Sequence, residues 1–212
     1  MKRILLVSHC ILNNASKVEM DERELKAEYR LRNELMHLIL EKNIQLLQLP
    51  CPEFIMYGSQ RWGHVKNQFQ HPFYEEQCRT LLNSVLMQVR EYAQHPETFR
   101  VEGVVSVEGS PNCGYHLTCV GPWKGEIGSD EKRIREIQNS VKETNQPGVF
   151  MEILEDEFNQ RQLNVPILTM EETISLLKEL KEKKKLEGKK IQRVVFHEIT
   201  KSAVKEGIEN TR

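Results

Sequence analysis

The sequence predicts an α/β protein: a Rossmann-like open sheet, mainly parallel, with helices on both faces in a three-layer arrangement. Short continuous apolar runs at Ile4–Val7, Ile44–Leu49 and Gly103–Val107 suit strands buried on both faces. Helical stripes separate them. Leu31, Leu35, Leu38 and Ile39 fill the first interval, and Leu82, Val85, Leu86 and Val89 the second. Strand, helix, strand, helix, strand is the pattern of parallel βαβ units with right-handed crossovers.

Each element has its own justification. The opening MKRILLV carries two basic residues and a short apolar run, ended by Ser8 and His9. That run is too short for an export signal and reads as the first strand. Asp21 followed by Glu24 resembles a capping box and opens a helix that ends near Lys42–Asn43. Pro50 and Pro52 stop the second strand, leaving Cys51 and Glu53 in the loop beyond. Residues 54–71 read as a long irregular segment, a kind that is often functional. Pro72 suits the first turn of a helix running to Tyr92 or Ala93. After the third strand, Tyr115–Ser129 reads as irregular. A helix is expected over Asp130–Glu143, another around Phe150, Ile153, Leu154 and Phe158, and a fourth strand at Val165–Leu168. Thr169 and Glu172 form a second capping-box pattern. Residues 1–180 are expected to form one domain. Residues 181–212 are expected to be a charged extension, in which Lys181–Lys190 is a charge run and Val194–Phe196 a candidate edge strand or docking segment.

The chain has 212 residues, enough to bury a core without disulfides or metal staples. Its 30 basic and 31 acidic residues give a formal net charge of -1, which offers no electrostatic case for nucleic acid. No apolar run approaches the roughly 20 residues that span a bilayer. A cytoplasmic location is therefore expected, where five cysteines are reduced and suit metal binding or catalysis better than a disulfide framework.

Three of those cysteines share a position. Cys10, Cys51 and Cys113 each fall just past the carboxyl end of an expected strand, the edge where open α/β sheets bind ligands. Their separations, 41 residues (10 to 51) and 62 (51 to 113), are too long for a zinc knuckle or a ferredoxin run, so only the fold can bring them together. Three thiolates repel one another unless a metal neutralises them, and soft sulfur donors favour zinc or an iron–sulfur centre. Three ligands also leave a coordination position open. Cysteine packs well in cores, and Cys78, on the stripe with Leu82, Val85 and Val89, is expected to do only that. Cys119 is open between a fourth ligand, a redox partner and a loop residue.

Cys10-Ile-Leu, Cys51-Pro-Glu53 and Glu108-Gly-Ser110-Pro-Asn-Cys113-Gly114 resemble, in order and spacing, the three motifs of the thiouracil desulfidase family. The resemblance covers about the first 115 residues. It implies a [4Fe-4S] cluster held by Cys10, Cys51 and Cys113, with one iron free for the substrate's sulfur. It also implies acid/base and substrate-positioning roles for Glu53 and Ser110. Two departures bear on the pocket. Asn13-Asn-Ala-Ser-Lys17 stands where the family has glycine and an arginine-tyrosine-aspartate-glycine run, and Asn112 replaces a serine. A related branch is expected, with a thiolated small molecule as substrate.

The expected chemistry is non-redox removal of sulfur from a thiocarbonyl. Glu53 is the general base and later proton donor, and Ser110 hydrogen-bonds the substrate. Asn13, Arg61 and Asn112 are candidate substrate contacts, and Tyr57, Trp62 or Trp123 are candidates to stack on a ring. Blander roles stand beside these: a helix cap for Glu53, a turn for Ser110, a surface ion pair for Arg61. His9, His64 and His116 lie near the motif loops and are read as structural or exposed, with His9 a possible tuner of the cluster from beside Cys10. Two other functions fit the same cysteines: a hydrolase with Cys113 as nucleophile, activated by His9 or His116, and a non-enzymatic carrier of metal or sulfur.

Overall fold

The computed structural model describes residues 1–179. The expected boundary at 180/181, the charge run and residues 191–212 lie outside the described residues. Met1–Thr173 forms one compact unit and contains the sheet and every cysteine.

Four strands build the main sheet: β1 (Lys2–Val7), β2 (Gln45–Gln48), β3 (Phe99–Val105) and β6 (Ile167–Leu168). Their order is β2-β1-β3-β6, and every pairing is parallel. Ile4–Val7 are all buried, as a central strand covered on both faces requires. The sheet is flanked by α2 (Glu22–Glu41), which links β1 to β2, α5 (Pro72–Gln94), which links β2 to β3, and α7 (Val149–Gln160), which precedes β6. The step from β1 to β2 and the step from β2 to β3 run in opposite directions across the sheet. Right-handed crossovers therefore put α2 and α5 on opposite faces. The onward step to β6 returns α7 to the face of α5, and the two pack together. The strand order reverses between β1 and β3, so the carboxyl ends of those strands flank a natural ligand crevice.

Local chemistry fixes the ends of these elements. Asp21 caps α2 by accepting the Arg23 N–H, and Asn43 leaves the helix with φ of 52°. Cys78, Leu82, Val85, Leu86 and Val89 are buried along α5. Residues 170–179 are helical, and the capping box ahead of them forms in both directions. Glu172 N–H donates to Thr169 Oγ1 at 3.0 Å, and Thr169 N–H donates to Glu172 Oε2 at 2.8 Å.

Several segments differ from expectation. Pro52 does not end order; it takes the first position of α3 (Pro52–Tyr57), where its missing N–H is not needed. Glu53 consequently lies in a helical first turn, and α4 (Lys66–Phe69) occupies part of the stretch expected to be irregular. β3 starts earlier than Gly103 and ends at Val105, and β6 is only two residues long. The helix expected to reach Glu143 ends sooner, as α6 (Glu131–Ser140). Val141 adopts an extended conformation there, and β5 (Lys142–Thr144) pairs antiparallel with β4 (Thr118–Val120). Among the described residues no helix is long and apolar enough to cross a membrane.

Candidate functional site

Each motif cysteine is held by its own local device. After β1 the chain turns into α1 (His9–Leu12), with Cys10 in its first turn. The preceding Ser8 is buried and donates its hydroxyl to the Val105 carbonyl at 3.0 Å, which ties the end of β1 to the end of β3. Cys51 is the N-cap of α3, its Sγ accepting the Phe54 N–H at 3.3 Å. Cys113 lies in a turn organised by Ser110, whose Oγ accepts the N–H groups of Asn112 at 3.3 Å and Cys113 at 3.0 Å.

The Cys113 turn is braced from two sides. The Glu108 carboxylate accepts four donors: the Ser106 hydroxyl and the backbone N–H groups of Tyr115, His116 and Leu117, at 2.7 to 3.0 Å. The first turn of α7 donates back to the loop, Val149 N–H to the Pro111 carbonyl at 3.0 Å and Met151 N–H to the Asn112 carbonyl at 3.1 Å. This satisfies helix N–H groups that have no intrahelical partner. Gly148 permits the approach, since a Cβ there would lie 2.6 Å from Asn112 backbone atoms.

Cys10, Cys51 and Cys113 line one cavity of about 470 Å³, together with Glu53, Arg61, Ser110 and Asn112. Burial pushes the Cys10 thiol up to about 11, and Cys51 adds to the effect. The Cys51 thiol is raised by burial and by the Glu53 carboxylate, against the Phe54 N–H and Arg61. Cys113 is raised furthest, by burial and then by Cys51, Cys10 and Glu53, with the Ser8 hydroxyl opposing. Cys10 thus senses Cys51, Cys113 senses both, and burial holds all three as thiols. Among the described residues no group of three or more His, Cys, Asp or Glu is gathered tightly enough for a single metal ion. Cys119 lines the same cavity, while Cys78 is buried on α5 and is not part of its wall. Another cavity, of about 400 Å³ beside α7 and β6, has no cysteine or histidine in its wall.

Glu53 is buried and fully oriented. Arg61 Nε donates to its Oε1 at 2.7 Å, and Asn112 Nδ2 donates to its Oε2 at 2.9 Å. Arg61 is itself buried, spending Nη1 on the Gly58 carbonyl at 3.0 Å and Nη2 on the Ser16 carbonyl at 2.6 Å. Asn112 accepts the Tyr74 hydroxyl at 2.8 Å through Oδ1. Arg61 and Asn112, read from the sequence as substrate contacts, therefore direct their polar atoms to placing Glu53. Tyr74 extends that chain of bonds from the core of α5, a role with no local sequence signal. Asn13 does not reach the cavity; it is exposed, and its side chain accepts the Ala15 N–H at 3.2 Å.

Of the three histidines near the motif loops, His64 lines the cavity. His9 bonds the Gln48 side chain and stacks on Phe54, while His116 pairs with Glu172 at 3.5 Å. Neither is in the cavity wall, so neither is placed to activate Cys113. Trp62 is exposed and stacks on His64 with ring centroids 5.6 Å apart.

Fold and site together define an α/β protein with a parallel sheet and a thiol-lined cavity at its carboxyl edge. No protein-family model matches the chain, and no solved structure matches it. It is 37% identical over 112 residues to "Uncharacterized protein MJ0003" of Methanocaldococcus jannaschii, an alignment covering 53% of this chain and 67% of the archaeal protein. The chain belongs to the family of that archaeal protein.

Proposed function

We propose that this chain is an iron–sulfur-dependent, non-redox desulfidase of the cytoplasm that removes sulfur, as sulfide, from a thiocarbonyl small molecule such as a thiolated heterocycle. One observation carries the reading: three thiols, Cys113 buried and Cys10 and Cys51 half-buried, each raised by burial and by its neighbours, share a cavity with a buried, oriented carboxylate. A buried thiol held protonated is a poor nucleophile. A metal centre reverses that situation, because coordination deprotonates thiols and cancels their repulsion.

The donor set fits a [4Fe-4S] cluster. Its three soft sulfurs come from separate strand ends, and a cluster is larger than one ion and needs spread ligands. Cys10, Cys51 and Cys113 would hold it, and an iron without a protein ligand would supply a Lewis acid for a soft thiocarbonyl sulfur.

The chain's own residues do the rest. Glu53 takes a proton from the water that attacks the thiocarbonyl carbon. Arg61 and Asn112 fix one lone pair on each of its oxygens, so the remaining ones point in defined directions. Ser110, with two N–H groups bonded to its oxygen, keeps its own O–H to donate to substrate. The reaction converts a C=S group and water into a C=O group and hydrogen sulfide, with no change of oxidation state.

The test is anaerobic reconstitution of the full chain followed by a screen of thiolated heterocycles for sulfide release. Glu53→Gln should keep its iron and lose turnover by about 10²- to 10⁴-fold. Unchanged turnover would remove Glu53 from the chemistry, and an iron-free, colourless wild type would remove the desulfidase reading.

A further inference from the structure

Resting on the desulfidase reading for the use of the site, we propose that Glu19, Glu24 and Glu143 decide which substrates enter it: the cavity takes uncharged and cationic thiolated heterocycles and rejects anionic ones. Charge separates otherwise similar thiolated rings, because a bare ring is uncharged while a carboxylated or phosphorylated one is not.

The cavity wall is lopsided in charge. Six glutamates line it against two cations, Lys17 and Arg61. Both cations are already engaged. Lys17 Nζ donates to the two Glu28 oxygens at 2.6 and 2.5 Å. Arg61 holds Glu53 and two backbone carbonyls. Glu108 is occupied by its four donors. The remaining three, Glu19, Glu24 and Glu143, are exposed and have no ion pair among the described residues.

These three come from two parts of the chain. Glu19 lies just ahead of α2, Glu24 is in the first turn of that helix, and Glu143 is on β5. Glu143 stands directly opposite Cys119 across the β4–β5 pair, so both side chains leave the same face of the hairpin. Its field reaches the wall: burial raises the Cys119 thiol, and Glu53 and Glu143 add to the effect, against the Cys119 backbone. A cleft lined by one sign of charge concentrates its field between low-dielectric walls. An entering anion therefore loses its hydration, meets three carboxylates and finds both wall cations spent on other partners. A cation is drawn in by the same field, and an uncharged ring is indifferent to it.

The experiment uses the full chain and has two arms. In the first, metal-free protein is treated with a cationic and an anionic methanethiosulfonate, and modification of Cys119 is followed by peptide mass spectrometry. With each rate divided by that of free cysteine, the cationic reagent should lead about tenfold at ~10 mM ionic strength, where fields reach ~30 Å. The lead should mostly vanish at ~1 M, where they reach ~3 Å. It should also collapse at low salt in a triple variant carrying Glu19→Gln, Glu24→Gln and Glu143→Gln. Equal normalised rates in wild type, an undiminished lead in the triple variant, or a Cys119 that reacts with neither reagent would overturn the proposal. In the second arm, cluster-loaded protein is given the 5-aminomethyl, 5-methyl and 5-carboxy derivatives of 2-thiouracil. Sulfide release, as kcat/KM, should be slowest for the carboxylated probe by about tenfold or more, and the triple variant should compress the series. A carboxylated probe turned over as fast as the methylated one would also overturn the proposal. If no probe releases sulfide, the desulfidase reading fails, and Cys119 labelling still decides the charge preference of the cavity.

Discussion

Two stretches follow β3, and they are held in opposite ways. Residues 106–118 carry the Cys113 turn and are tied to distant parts of the fold. Glu108 gathers four donors, the Ser106 N–H bonds the Leu168 carbonyl, and α7 donates into the loop. Residues 121–140 rest mostly on local contacts. Asp130 caps α6, Arg135 pairs with Glu131 four residues back, and no residue of α6 is buried. A protein needs to place a ligand-bearing loop to within a fraction of an ångström only where chemistry happens. The contrast therefore marks the first stretch as the precisely held wall of the cavity and the second as an outer stretch that contributes none of its lining.

Substitutions can break or sharpen that contrast. The largest effect is expected at Arg61, which joins the braced wall through Glu53. Arg61→Met leaves the buried carboxylate uncompensated and should cost about 3–5 kcal/mol, lowering the melting temperature by about 10 °C. Calorimetry would check this. Glu108→Gln turns an oxygen that accepts N–H groups into an NH2 facing them, and should cost about 2 kcal/mol in urea denaturation. The smallest effect belongs to the outer stretch. Ile134 is half-buried, and Ile134→Ala should change stability by about 0.5 kcal/mol. A loss there equal to that of Glu108→Gln would abolish the distinction.

The wall was more legible in the sequence than the outer stretch. Buried parallel strands are continuous apolar runs, and each motif cysteine follows one at a break, Ser8-His9, Pro50 or Gly109-Ser110-Pro111, so the strand ends could be placed from residue types alone. β4 and β5 left no such trace. Each is three residues long, and their stability comes from pairing with each other across a gap that contains α6. Ile134, Ile137 and Val141 keep helical spacing past the point where that pairing wins. α3 was hidden for a different reason: Pro52 breaks a strand and starts a helix equally well, and only the Cys51 cap decides. Glu53 stood out because it follows a motif cysteine, but its partners did not. Asn112 and Tyr74 lie 59 and 38 residues from the groups they bond, distances that only the packed structure spans. His64 comes to the cavity wall through tertiary packing, its ring held by Tyr57 and Phe69, which its sequence neighbours do not signal.

The central claim is that Cys10, Cys51 and Cys113 jointly hold one iron–sulfur cluster. Iron and acid-labile sulfide should be measured per chain after anaerobic reconstitution of single cysteine-to-alanine variants. The account predicts about four of each in wild type and in Cys78→Ala, and loss of both in Cys10→Ala, Cys51→Ala and Cys113→Ala. Full loading in any of those three variants would contradict it.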